Sequence, residues 1–238
     1  MFTVDGQVVM LTGAVGRLGS ATARLLQQHG ARTVLIDRQQ ARLNSVYADL
    51  ADAPDHLLAG GVDLATGNGL AAAVSQALER FGRIDALVNT VGAYRGGKPA
   101  CEEDDETWQL MFDVNVKTAL NACRAVAPVM LGQRRGRIVN VASRAALAGA
   151  GGLAAYCASK SAVVRLTESL SADLKHAGVN VNCVLPGTLD TPENRKAMPD
   201  ADSATWVTLD AVACVIAFLT SDGASAIHGA AIPVYRSA

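Results

Sequence analysis

Short apolar runs alternate with longer stretches in which apolar positions recur every three or four residues, and this alternation continues along the chain. The short runs predict strands at 7–12, 33–36, 57–62, 84–89, 136–142, 179–185 and 229–234. The longer stretches predict helices from a glycine turn at 13–19 through Gly30, and at 39–50, 69–81, 106–132, 153–176 and 208–220. In the helix over 153–176, Val163, Leu166, Leu170 and Leu174 form one buried stripe. Strands that alternate with helices build right-handed βαβ units, so the expected class is α/β, a doubly wound parallel sheet of about seven strands with helices on both faces. Two segments break the rhythm. Residues 92–105 read as a polar loop, and 188–206, rich in Pro, Asp and charge, read as an aperiodic lid over the strand ends.

Length and charge narrow the reading. A chain of 238 residues, 50% hydrophobic, suits one domain spanning 1–238. A formal net charge of −1 and the lack of any polybasic block argue against nucleic acid and membrane surfaces, leaving a small molecule as the expected partner. The longest strongly apolar run, Ala211–Leu219, is half of the roughly 18 residues that a membrane span needs. Met1–Gln7 carries Asp5 and no basic region, unlike a secretory signal, so a cytoplasmic location is expected. Five widely spaced cysteines without a C-x-x-C pair read as reduced thiols, with a redox role for Cys157 beside Tyr156 as the alternative. The four histidines show no ligand spacing, and no metal is expected.

The chemistry gathers at the predicted carboxyl ends of the strands. The first strand runs into Gly13, Gly16, Arg17, Leu18 and Gly19 and then a helix, the context in which backbone amides cradle a pyrophosphate. Asp37 ends the second strand eighteen residues after Gly19, where a carboxylate accepts hydrogen bonds from the adenosine ribose and repels a 2′-phosphate. NAD(H) is therefore the preferred cofactor; Arg17 and Arg38, which could hold a 2′-phosphate, keep NADP(H) as the alternative. Asp63, Asn89 and Gly92, and Ser143 follow the next strand ends. Tyr156 and Lys160 lie four apart on one helical face, where an ammonium would favour the phenolate and lower a pKa of about 10. Asn115 is a polar amide inside an apolar helix, and the acidic run Glu102–Glu106 reads as a complement to that helix's N-terminal dipole.

Thr12-Gly13 with Gly19, Asp37, Asp63, Asn89 with Gly92, Asn115, Ser143, Tyr156 with Lys160, and Pro186-Gly187-Thr188 together resemble the short-chain dehydrogenase/reductase family over nearly the whole chain. The resemblance implies a Rossmann-type fold and NAD(P)(H)-dependent transfer of hydride between nicotinamide and a carbonyl or alcohol carbon. It implies Tyr156 as proton donor or acceptor, Ser143 as holder of the substrate oxygen, Lys160 as ligand of the nicotinamide ribose that depresses the Tyr pKa, and Asn115 as part of a water relay. It also implies a homodimer or homotetramer built through the two long helices. Arg17 stands where the family usually has glycine, and Thr90-Val91 replaces the usual Asn-Ala. Leu185-Pro186, Thr188–Pro192, Asn194–Lys196, Met198-Pro199, Ala201-Asp202 and the glycine spacing look like dihydropteridine reductases, which keep the Tyr and Lys but generally not the Ser and Asn. This chain has all four. Carbonyl or alcohol oxidoreduction, including the 3-oxoacyl reductase type, therefore ranks first, NADH-dependent pterin reduction second, and a non-catalytic dinucleotide-binding regulator third.

Overall fold

The computed structural model describes residues 3–235; Met1 and Phe2 of the N-terminal stretch lie outside the described residues. Seven parallel strands form one sheet in the order β3-β2-β1-β4-β5-β6-β7. They are β1 Val8–Thr12, β2 Arg32–Ile36, β3 His56–Ala59, β4 Ala86–Asn89, β5 Gly136–Val141, β6 Val179–Pro186 and β7 Ala231–Val234. The expected doubly wound α/β sheet is the observed one.

Alternation along β1 explains why both faces carry helices. Val9 and Leu11 pack into a cluster with Leu18, Ala23 and Leu26 of α1 (Arg17–Gln28) and Val212 and Ile216 of α8 (Leu209–Thr220). Val8 and Met10 point the other way, toward Ala73 and Ala77 of α3 (Leu70–Phe81) and Ala122, Val126 and Met130 of α5 (Thr118–Gln133). A strand buried on both faces must be apolar throughout, and β1 is fully buried. A third cluster seats Val163 and Val164 of α6 (Ala154–Leu174) on Cys183 and Leu185 of β6.

Several boundaries differ from the periodicity. The third strand stops at Ala59, because Gly60 and Gly61 leave the ladder and Val62 turns back to donate to Asp37 O. The helix expected over 39–50 is α2 (Gln40–Val46) followed by a short 3₁₀ turn. The helix expected over 106–132 is α4 (Asp105–Phe112), a π-helical turn at Asp113–Lys117, and α5. The segment expected to be aperiodic holds α7 (Pro192–Ala197), started by Thr191, whose hydroxyl accepts from Asn194 N, and by Pro192 at the first turn. Its two ends meet in a parallel bridge between Leu189 and Val207, so 188–207 is an excursion closed at its base. Among the described residues no helix is long and apolar enough to cross a membrane.

Candidate active site

The strand order reverses between β1 and β4, and ligands of such sheets bind in the crevice outside the carboxyl ends at that point. Here the crevice is a cleft of about 300 Å³ lined by Gly13, Asp37, Arg38, Val62, Asp63, Leu64, Ala65, Val91, Val114 and Thr118. Gly13 has φ +71°, and a Cβ on it would come within 2.9 Å of Val91 Cγ2. A Cβ on Gly19 would drive into the Gly13 carbonyl oxygen and lie 2.8 Å from Thr90 Oγ1. The turn is thus closed on itself, and α1 starts behind it at Gly16 with no side-chain cap and no acid in its first turn. By contrast α4, α7 and α8 are each capped by their own Asp104, Thr191 and Thr208. An uncapped helix start facing a cleft offers its amides to an anion, and the cradle fits a dinucleotide pyrophosphate. Gly19→Ala is expected to weaken binding of the nicotinamide dinucleotide by about tenfold or more, from overpacking of about 1–3 kcal/mol. Cofactor titration of the purified variant measures this, and unchanged affinity would contradict the cradle.

Each predicted ribose and adenine residue has a definite place. Asp37, half-buried, accepts from Gln39 N at 3.2 Å and lies beside the exposed Arg38 on the cleft wall. Asp63 accepts from Ala65 N at 3.0 Å and also lines the cleft. Leu18 is buried in the core, so only its backbone can face a ligand. Arg17 is turned away onto the lid, donating to Glu193 Oε1 of α7 through Nη2 at 2.6 Å and Nε at 3.1 Å. Asn89 is buried. Its side chain points into the sheet, accepting from Thr12 Oγ1 at 3.2 Å and donating to Asn140 Oδ1 at 2.9 Å, while Asn140 in turn donates to Thr167 Oγ1 at 2.9 Å. Its contribution to the cleft is to fix the strand end from which Thr90, Val91 and Gly92 leave. Pro186 is buried at the end of β6, Gly187 donates to Val234 O at 3.1 Å, and the Thr188 carbonyl accepts from Val207 N at 2.9 Å, which sets the base of the lid.

Two of the candidate catalytic groups, Asn115 and Lys160, meet at Gly92. A Cβ there would lie 3.0 Å from Lys160 Nζ and 3.1 Å from Asn115 Oδ1, so the chain after β4 passes between them in close contact with both. Asn115, buried in the π-helical turn, clamps that chain: it accepts from Ala93 N at 2.8 Å and donates to Ala93 O at 3.1 Å and to Ser159 Oγ at 3.0 Å. A π-turn inside a longer helix is a recurrent mark of functional sites. Lys160 Nζ reaches across to donate to Val141 O at 3.1 Å, tying α6 to the end of β5. Ser143 follows in extended conformation, and its hydroxyl accepts from Ala145 N at 3.2 Å. Tyr156 is half-buried, with the Tyr94 ring edge-on at 5.1 Å between centroids.

Desolvation dominates the electrostatics of the site. Burial raises the Tyr156 pKa above its ordinary value, and a hydrogen bond with Ser143 pulls it partway back. Lys160, expected to depress that pKa, is itself desolvated and lowered to about 8. The phenol is therefore the resting form, and the ammonium is held close to losing its proton. Burial pushes the Cys123 thiol up to about 12 and Cys183 to about 11, which makes both poor nucleophiles. All five cysteines are free, and Cys157 is buried on α6 next to Tyr156. Among the described residues no three His, Cys, Asp or Glu side chains cluster as a metal site requires.

Sequence reasoning overlooked Tyr94, Val62, Leu64, Val114 and Thr118. The apolar ones carry ordinary core periodicity, and only the strand order turns them toward the cleft.

Comparison with known proteins gives a consistent picture. The family described as short chain dehydrogenase matches residues 7–202. The 3-oxoacyl-(acyl-carrier-protein) reductase FabG of Thermotoga maritima is 30% identical over 240 residues, covering 97% of this chain and 97% of that protein. Among solved structures, NAD+-bound xylitol dehydrogenase superposes with a TM-score of 0.88 at 25% identity, covering 98% of this chain and 99% of the other. Levodione reductase does so with a TM-score of 0.85 at 29% identity, covering 99% and 97%.

Proposed function

The chain belongs to the short chain dehydrogenase family, and from that premise we propose that it is an NAD(P)(H)-dependent oxidoreductase interconverting a carbonyl and an alcohol, with Tyr156 as proton donor or acceptor. The observation that carries the reading is the convergence of Tyr156, Ser143 and Lys160 at the ends of β4 and β5, beside the glycine cradle.

A bound nicotinamide supplies or takes the hydride. The chain's own groups manage the oxygen. In reduction, Tyr156 Oη stands as a neutral phenol and delivers its proton as charge develops on the substrate oxygen, while the Ser143 hydroxyl donates a second hydrogen bond. Lys160 uses one N–H on Val141 O and keeps two for the ribose hydroxyls and the phenolate left on Tyr156. Asn115, whose side chain bridges Ala93 and Ser159, holds the chain between β4 and α4 in place beside Lys160 and keeps one lone pair of its Oδ1 for a further donor.

Asp37 in the cleft and the engagement of Arg17 by Glu193 favour NAD(H) over NADP(H). The reductase class of the Thermotoga relative favours carbonyl substrates, the 3-oxoacyl type among them. Pterin reduction rests on the 185–202 segment alone. It ranks second because Ser143 stands beside Tyr156 and Asn115 beside Lys160, as a carbonyl reductase uses them. We also infer one domain, paired into dimers or tetramers through the outer faces of α4–α5 and α6, where Trp108 and Phe112 stack in partial exposure.

The test is oxidation of NADH and of NADPH by the purified protein with small ketones and 3-oxoacyl thioesters in one set and quinonoid dihydropterin in another. Ketone or thioester turnover with NADH is the expected result. Pterin turnover alone would reverse the ranking, and tight NADH binding without turnover in either set would revive the regulator reading.

A further inference from the structure

The helix that carries Tyr156 and Lys160 begins without a cap of its own. Leu153 stands at its N-cap, and no side-chain hydrogen bond is made there. The first N–H groups of a helix have no intrahelical partner, so a buried start needs one from elsewhere. It comes from Glu103, 52 residues away, whose Oε2 accepts from Ala155 N at 2.9 Å, one residue before Tyr156. The acidic run therefore divides its work. Asp104 caps α4 by accepting from Thr107 N at 2.8 Å, whereas Glu103 crosses to α6.

Three further contacts seat the same loop on the same helix start. Gly97 N donates to Gly152 O at 2.8 Å, and Gly96 lies so close to Leu153 that a Cβ would collide with it. The Tyr94 ring meets the Tyr156 ring edge-on. The other carboxylate oxygen, Glu103 Oε1, is buried with no hydrogen-bond partner on the protein, and the residue lines a cleft of about 220 Å³ with Arg95, Gly96, Lys98, Asp104 and Thr107. Burying a carboxylate oxygen unpaired opposes folding. A chain that needed only stability at this point would do better with a short Ser or Thr in place of Leu153.

We propose that Glu103 is a positioning residue for the reaction: its carboxylate fixes the first turn of α6 and thereby aims the Tyr156 hydroxyl at the substrate oxygen. The inference rests on Tyr156 being the proton donor. A ring at the third helical position follows any shift of that turn, and displacement of a reacting group by about 1 Å lowers turnover steeply. The cofactor cradle lies across the cleft on α1 and is untouched, so the effect falls on kcat.

The decisive comparison is of Glu103→Ala and Glu103→Gln with the parent enzyme, read as kcat, substrate KM, dinucleotide Kd and amide exchange at Ala155 and Tyr156. Gln keeps a carbonyl oxygen that accepts the same N–H. The expected result is a kcat roughly tenfold lower in the Glu103→Ala variant, with dinucleotide Kd within twofold, faster exchange at the two amides, and kcat restored to near parental by Gln. Parental kcat in Glu103→Ala would overturn the proposal. So would parallel losses of kcat and cofactor affinity that Gln fails to repair, because those belong to a merely structural residue. Tyr156→Phe run alongside separates the two levels. An active Tyr156→Phe variant removes the premise, whereas an inactive one beside a fully active Glu103→Ala variant removes only the role of Glu103.

Discussion

Tyr156→Phe should reduce turnover by about 10²–10⁴-fold, the usual contribution of a general acid–base group, and leave dinucleotide affinity within a few-fold. Phe keeps the ring that meets Tyr94, so packing is preserved and only the hydroxyl is lost. Ser143 cannot take over the proton, because an aliphatic alcohol is a far weaker acid than a phenol. Steady-state kinetics with the best substrate from the panel, together with cofactor titration, checks the result. Turnover within tenfold of the parent would remove Tyr156 from the mechanism.

The second large effect concerns Lys160. Lys160→Met should lower kcat by on the order of 10²-fold, since the developing phenolate and the ribose lose a preorganised cation. The same change should leave folding stability at pH 7 equal to the parent or raise it. The ammonium is fully enclosed, with Val141 O as its hydrogen-bond acceptor, and burial lowers its pKa from 10.5 to about 8. The sign follows from proton counting. Between about pH 8 and 10.5 the unfolded chain still holds the Lys proton while the folded chain has released it, so this group's contribution to stability rises with pH across that window. Below pH 8 the full desolvation penalty is present. Cys123, Cys183, Tyr47 and Tyr156, all raised by burial, act in the opposite sense at alkaline pH, so the informative quantity is the difference between parent and Met variant. Denaturant melts of both proteins at about pH 7 and about pH 10 measure it. A difference that does not change with pH would place Lys160 in a wetter site than the structure gives it. For activity, loss of the ammonium above about pH 8 predicts a falling alkaline limb in kcat/KM for reduction, absent from the Met variant.

The architecture was legible because burial has a period. Val8, Met10 and Val9, Leu11 alternate faces in β1, so that strand announces both of its buried sides; of the stripe expected in α6 only Val163 and Leu174 are buried, Leu166 and Leu170 are half-buried, and Thr167 and Ser171 complete the inner face. The glycine turn and the Tyr156–Lys160 pair were legible for the same reason: their geometry is fixed within one turn of chain. Ser143 and Asp37 could be placed because both follow strands whose ends the pattern marks. Polar partners across the chain were not legible. Asn89 turning into the sheet toward Asn140, Arg17 held by Glu193 of the lid, Asn115 clamping Ala93 and Glu103 capping α6 all join residues from different βαβ units. Sequence gives each such group a chemistry but no address, since a carboxylate in an acidic run serves the nearest helix dipole equally well until the fold brings another helix closer. The sequence by itself determined the sheet, its helices, the glycine turn and the choice of candidate reactive groups. Only the tertiary structure decided which way the polar side chains point and which charges are desolvated, because both depend on crossings between distant segments and on the water those crossings exclude.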